Sequence, residues 1–179
     1  VIDPAQAQAK GAQQIHEVAP NNTIYQWHIG DPDANAAAMK KAKHITRLDF
    51  INNRLVPNAL EPRSAIAEFD PGDENFTLWT TSQNPHVARL VISAFIGVAP
   101  EHKLRVIAPD VGGGFGSKIF IYPEEVVCLW AAKKVAHPVR WTADRSEAFV
   151  TDAHGRDHVT HAELGFDENN KIVGMKVKT

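Results

Sequence analysis

The stretch "PDVGGGFGSK", Pro109 to Lys118, constrains this chain more than any other, because the seven residues after Val111 hold four glycines, a phenylalanine, a serine and a lysine. Glycine supplies positive φ to turns and lets other groups approach the bare backbone. Three glycines in succession exceed what a turn needs. Spacing removes two familiar uses. A phosphate-cradling G-x-x-x-x-G-K-[ST] loop fails at Ser117 and at Ile119, on either side of Lys118. A dinucleotide fingerprint G-x-G-x-x-G begun at Gly112 fails at Ser117, and Pro109 cuts the preceding strand "LRVIA" off before the glycines begin.

The flanks place this loop between a strand and a helix. "HKLRVIAP" reads as a short strand. "PEEVVCLWAAKKVAH" reads as a helix with Pro123 at its start, Glu124 and Glu125 in its first turn and lysines in its last, an order that suits the helix dipole. A second junction of the same kind lies upstream. There the strand "FTLWTT" passes through Gln83 into "PHVARLVISAFIGV", where Val87, Leu90, Val91, Ala94 and Phe95 recur at helical spacing between Pro85 and Gly97. Two strand-to-helix junctions on one sheet are expected to converge at its carboxyl edge, where open α/β layers commonly bind ligands.

Elsewhere "ITRLDFINNRLVPN" is rich in β-branched and apolar residues, "RSAIAEFD" and "FTLWTT" flank the turn "PGDEN", and "PVRWTA" reads as a strand. "DHVTHAELGF" and "KIVGMKVKT" alternate around "DENNK" as a closing hairpin. Residues 1–43 are polar and alanine-rich, and read as a linker with one short helix in "DANAAAMKKAKH" capped by Asp31 or Asp33. Residues 44–179 then form the folded domain. The fold class expected is α+β, with mixed sheet layers, two central helices and flanking hairpins. The chain begins at Val1 and ends in the middle of a strand pattern, so a piece of a longer protein is expected.

Composition narrows the function. With 179 residues, 44% hydrophobic and 22% charged, the chain can bury one real core. A net charge of −2 offers no basic footprint for nucleic acid or anionic lipid, and no apolar run approaches a membrane span. A single cysteine, Cys128, cannot make an internal disulfide, which suits a reducing, cytoplasmic setting. Its apolar neighbours make it a small buried hydrophobe. His154, His158 and His161 have helical metal-site spacing, but alternation from Asp157 onward sends His158 and His161 to opposite strand faces, so no direct metal ligation is expected.

The segments "LEPR" (Leu60 to Arg63), "TLWTTSQNPHVARLVISAFIGVAPEHKLRVIAPDVGGGFGSK" and "HPVRWTADRSEAF" together resemble the molybdenum-cofactor subunit of the xanthine dehydrogenase and aldehyde oxidase family. The resemblance is closest to the bacterial branch that includes the aerobic carbon monoxide dehydrogenase large subunit. It covers the chain from about Arg47 to the end, and Q-x-P-H followed by G-G-G-F-G-x-K is its specific part.

The resemblance implies a fragment of the first molybdenum-cofactor-binding domain of a molybdenum hydroxylase. Its cofactor would be molybdopterin, with or without a cytosine dinucleotide, whose dithiolene holds the metal. Gln83 and Phe115 match the family's glutamine and phenylalanine beside the molybdenum, with Gly113, Gly114 and Gly116 as supporting backbone. The resemblance further implies iron–sulfur and flavin (FAD) partner subunits, a homodimer of heterotrimers, and a small-molecule substrate. The family's catalytic glutamate and the copper-binding loop cysteine lie downstream of this segment, so none of its residues is expected to be catalytic and the segment alone is expected to be inactive. Ile119 stands where purine-oxidising members carry glutamate, which argues for carbon monoxide or an aldehyde over a purine. The alternative is a catalytically silent binding or scaffold module of related fold.

Overall fold

The computed structural model describes residues 3–179. The backbone divides into two compact units, one formed by the residues up to Arg54 together with Arg156–Thr179, the other by Leu55–Gly155. The chain thus leaves the first unit and returns to it, a discontinuity that a linear boundary at 43/44 does not express.

The first unit holds helices α1 (Pro4–Ala7) and α2 (Pro32–Lys41) and strands β1 (His44–Asn52), β6 (His158–Phe166) and β7 (Ile172–Lys178). The three strands form an antiparallel sheet in the order β1-β6-β7. Asp31 caps α2 by accepting the amide hydrogens of Asp33 and Ala34 at 3.0 and 2.9 Å, which settles the choice between the two candidate caps. The closing hairpin turns where the Asp167 carboxylate accepts the N–H groups of Asn169 and Lys171.

The second unit holds β2 (Ser64–Asp70), β3 (Asn75–Thr80), α3 (Pro85–Leu90), β4 (Leu104–Ile107), α4 (Pro123–Val135), β5 (Val139–Thr142) and α5 (Arg145–Thr151). Its sheet runs β4-β3-β2-β5. β3 and β4 are parallel neighbours joined across α3, and the other pairs are antiparallel. The α+β class with a mixed sheet is the observed architecture.

Alternation builds the core. Ala65 and Ala67 of β2 stand opposite Thr80 and Leu78 of β3, so all four share one face. That face is buried, and Cys128, Leu129 and Ala132 of α4 join the same core cluster. The two alanines have no bulk beyond Cβ, which lets a helix settle close to the sheet. Cys128 is buried here, and burial together with the nearby Glu125 and Glu124 carboxylates pushes its thiol pKa up, as suits an inert core residue.

α3 continues as a wider π-type turn over Val91–Ile96, ended by Gly97 at φ 76°, whose N–H reaches back five residues to the Ile92 carbonyl. The stripe read from sequence is not the buried one, since Val87, Leu90 and Phe95 are exposed whereas Ala88 and Ile92 are fully buried. This helix is apolar on two sides, and the side with the small Ala88 meets the sheet.

Candidate functional site

Because β3 and β4 are adjacent and parallel, the loops that leave their carboxyl ends lie side by side. The first loop carries Gln83 and the second carries the glycines. Their side chain and backbone meet directly, with the Gly116 N–H donating to Gln83 Oε1 at 3.0 Å. Since an amide N–H can only donate, the oxygen end of the carboxamide faces Gly116, and Nε2 is left as the donor end. Among the described residues Nε2 has no partner. The Gln83 backbone is fixed too, its N–H donating to the Lys118 carbonyl at 2.9 Å.

The loop itself is shaped for close approach. A Cβ added to Gly114 would stand 2.3 to 2.6 Å from Oε1, Cδ and Cγ of Gln83, so the glutamine side chain lies where any other residue would put a carbon. Gly113 and Gly116 take φ of +97° and +93°. Phe115 adopts φ 51°, a left-handed backbone that costs a non-glycine residue about 1–3 kcal/mol and is typical of functional loops. Its side chain is 74% exposed. Among the described residues the amides of Gly113, Gly114 and Phe115 have no hydrogen-bond partner, which makes three neighbouring donors beside the Gln83 carboxamide.

Beneath the loop lies a layer of charged side chains. Lys118 Nζ donates to the carbonyl and to Oε2 of Glu61, both at 2.8 Å. Glu61 Oε2 also accepts the Gly112 N–H at 2.9 Å. Burial pushes the Glu61 carboxyl up, but the Lys118 ammonium and the Gly112 N–H outweigh it and hold the group below its usual range. Arg145 anchors the neighbouring turn by donating to Asn58 Oδ1, the Ala59 carbonyl and the Leu60 carbonyl.

Arg63 is buried between partners. It donates to Asp152 at 2.6 Å and to Glu124 at 3.1 Å, and its guanidinium sits 3.6 Å from the Tyr122 ring centre. Glu125 closes the start of α4 by accepting the Tyr122 N–H at 3.0 Å and the Thr80 hydroxyl hydrogen at 2.5 Å. Its burial raises the carboxyl pKa against the pull of those two donors. The Tyr122 hydroxyl donates to the Ser117 carbonyl at 2.6 Å, which ties α4 back to the end of the glycine loop.

All five residues singled out by sequence, Gln83, Gly113, Gly114, Phe115 and Gly116, therefore come together at one sheet edge. The supporting residues Glu61, Arg63 and Lys118 stand within the quoted "LEPR" and "GSK" segments, yet no spacing rule gives them a role. An acid before proline and a lysine closing a glycine run are the only signals they leave.

Residues 15–179 match the family described as the molybdopterin cofactor-binding domain. The chain belongs to that family. It is 38% identical over 168 residues to the carbon monoxide dehydrogenase large chain of Afipia carboxidovorans, covering 94% of this chain and 20% of that one. It is likewise 38% identical over 169 residues to the large chain of the same name from Hydrogenophaga pseudoflava, again 94% and 20%. The solved carbon monoxide dehydrogenase of Oligotropha carboxidovorans superimposes with a TM-score of 0.78 at 38% identity, over 84% of this chain and 19% of that one. The chain thus spans about a fifth of the length of the relatives it matches.

This molybdopterin cofactor-binding domain passes a test of fit on its own geometry. A cofactor that carries its metal on its own sulfur ligands asks the protein for hydrogen-bond donors at close range, fixed before binding. The amides of Gly113, Gly114 and Phe115 and the Gln83 carboxamide nitrogen, unpartnered among the described residues and set in a loop where Gly113, Gly114 and Gly116 carry no Cβ, supply that kind of surface.

Proposed function

We propose that this chain is the part of a molybdenum hydroxylase large subunit that receives the cofactor at the β3/β4 carboxyl edge. Gln83 would hold it through Nε2, the backbone of Gly113, Gly114 and Phe115 would hold it through N–H groups, and Gly116 would support that backbone and allow close approach. The observation that carries this reading is the junction of Gln83 and the glycine loop, where the Gly116 N–H has already turned the carboxamide so that its nitrogen end is free. The bound group would supply two-electron redox chemistry. The chain's own residues bind and orient it, with donors that need no rearrangement when charge develops.

In this proposal the cofactor is molybdopterin, its cytosine dinucleotide form included, and electrons leave through iron–sulfur clusters and FAD on partner subunits. The complete assembly is a homodimer of heterotrimers in the cytoplasm. Its substrate class is carbon monoxide or an aldehyde. Ile119, next to Lys118, is 39% exposed and offers no polar partner, whereas an unpaired polar group on a bound purine costs about 1–3 kcal/mol.

The test is metal and pterin analysis of the full-length protein purified from its host, followed by assays of carbon monoxide, benzaldehyde and xanthine with an artificial electron acceptor. Stoichiometric molybdenum with xanthine the poorest substrate is expected. Gln83→Ala should then slow turnover by roughly 10² to 10³, the usual loss for one preorganised donor. Absence of molybdenum and pterin would overturn the reading in favour of a scaffold module.

A further inference from the structure

Glycines give a loop no side chains by which to pack, so whatever holds such a loop in place must grip its backbone from outside. Lys118 is where that grip begins. It is only 2% exposed, although ammonium groups are almost never fully buried without a partner. Its partner is Glu61, met through both the carboxylate and the main-chain carbonyl. Glu61 grips the first glycine of the run twice, accepting the Gly112 N–H and donating its own N–H to the Gly112 carbonyl at 3.2 Å. Gly112 must lack a side chain for this, because a Cβ there would lie 2.6 Å from Glu61 Cβ. At the far end of the run, the Lys118 carbonyl accepts the Gln83 N–H. One residue therefore holds, through its side chain, the Glu61 that grips the start of the loop, and reaches Gln83 through its main chain.

We propose that Lys118 and Glu61 form an ionic clamp that fixes the glycine loop and Gln83 in one register, acting as positioning residues for cofactor capture. The clamp rests on the reading in which that loop and Gln83 receive molybdopterin. Its ionic character has a reason. A buried ion pair adds little net stability over an apolar pair of similar volume, but it is satisfied only in one arrangement of donors and acceptors. An apolar pair would tolerate sliding by a fraction of an ångström. The clamp does not, because sliding would leave the Lys118 ammonium buried without its acceptors.

The experiment measures amide hydrogen exchange and molybdenum content together, on the full-length protein and three variants. Lys118→Met removes the charge at similar length. Glu61→Ala removes the carboxylate but keeps the Glu61 main-chain carbonyl as an acceptor for the Lys118 ammonium, and Glu61→Gln keeps a side-chain acceptor as well, so the test stands even where Lys118→Met does not fold. These variants should raise exchange at the hydrogen-bonded amides of the site, Gln83, Gly112, Gly116 and Ser117, by about tenfold or more, the scale of one charge-assisted hydrogen bond, while exchange in α4 stays at the wild-type rate. Molybdenum content should fall in step with loop protection. Unchanged exchange in the loop overturns the clamp, and so does faster exchange with wild-type molybdenum content. Wild-type protein without molybdenum defeats the functional reading instead, which the exchange data then separate from the clamp.

Discussion

Gly114→Ala is the sharpest available probe of the site, because it adds one carbon at a position with no left-handed backbone to confound the result. The new Cβ would sit 2.3 Å from Gln83 Oε1, 2.4 Å from Cδ and 2.6 Å from Cγ. All three separations are below any carbon contact proteins tolerate, so the glutamine side chain must leave. The fold loses little, since the direct casualty is the hydrogen bond from Gly116, worth about 0.5–1.5 kcal/mol. The site loses much more, because the donor end of Gln83 no longer stands where the oxygen end held it. Turnover of the full-length enzyme should fall by roughly 10² to 10³ while thermal unfolding shifts by only a few degrees. The double variant Gln83→Ala with Gly114→Ala separates cause from coincidence. Removing the glutamine side chain vacates the space, so the double variant should unfold no earlier than Gly114→Ala alone and turn over no more slowly than Gln83→Ala alone. Wild-type turnover in Gly114→Ala, or independent losses that multiply in the double variant, would refute the argument that Gly114 is glycine for the sake of Gln83.

Two further outcomes concern the framework. Leu129, fully buried under the sheet of the second unit, should cost about 2–5 kcal/mol when replaced by alanine, read from chemical denaturation of the full-length protein, with no local loosening of the glycine loop beyond the global effect. Glu61 makes an acid-side prediction. Its folded pKa lies below the ordinary 4.5, so it contributes stability above that value and loses it as pH falls through the folded pKa. The gap in melting temperature between wild type and Glu61→Gln should therefore be largest near neutral pH and close below about pH 4, the range in which an ordinary glutamate titrates.

How far the sequence carried depended on whether the physics was local. Strands β2, β3, β6 and β7 could be read because alternation and turn residues lie within a few positions of one another. The same holds for α4, whose Pro123, early acids and late lysines mark both ends. The burial side of α3 was not legible, because a helix with apolar residues on two sides carries no internal mark of which side the sheet will cover. Helix α5 shows the opposite case. It is only seven residues long, too short for periodicity to announce it, yet Asp144 accepting the Glu147 N–H at 2.7 Å is a capping pattern that stands in the sequence.

The site divides along the same line, and the division explains why the glycines were visible while their support was not. A glycine run is conspicuous because it breaks composition, and Gln83 could be joined to it once two strand-to-helix junctions were placed on one sheet. The pairing of Glu61 with Lys118 joins residues 57 positions apart, and neither has unusual neighbours. Nothing in a linear pattern distinguishes a buried lysine from the solvated lysines that close α4. Only the parallel packing of β4 beside β3 brings the end of the glycine run to Gln83. The paired bonds between Glu61 and Gly112 then place an acid within reach of Lys118. A loop made of backbone must be specified by the side chains around it, and those side chains are legible only after the fold has gathered them.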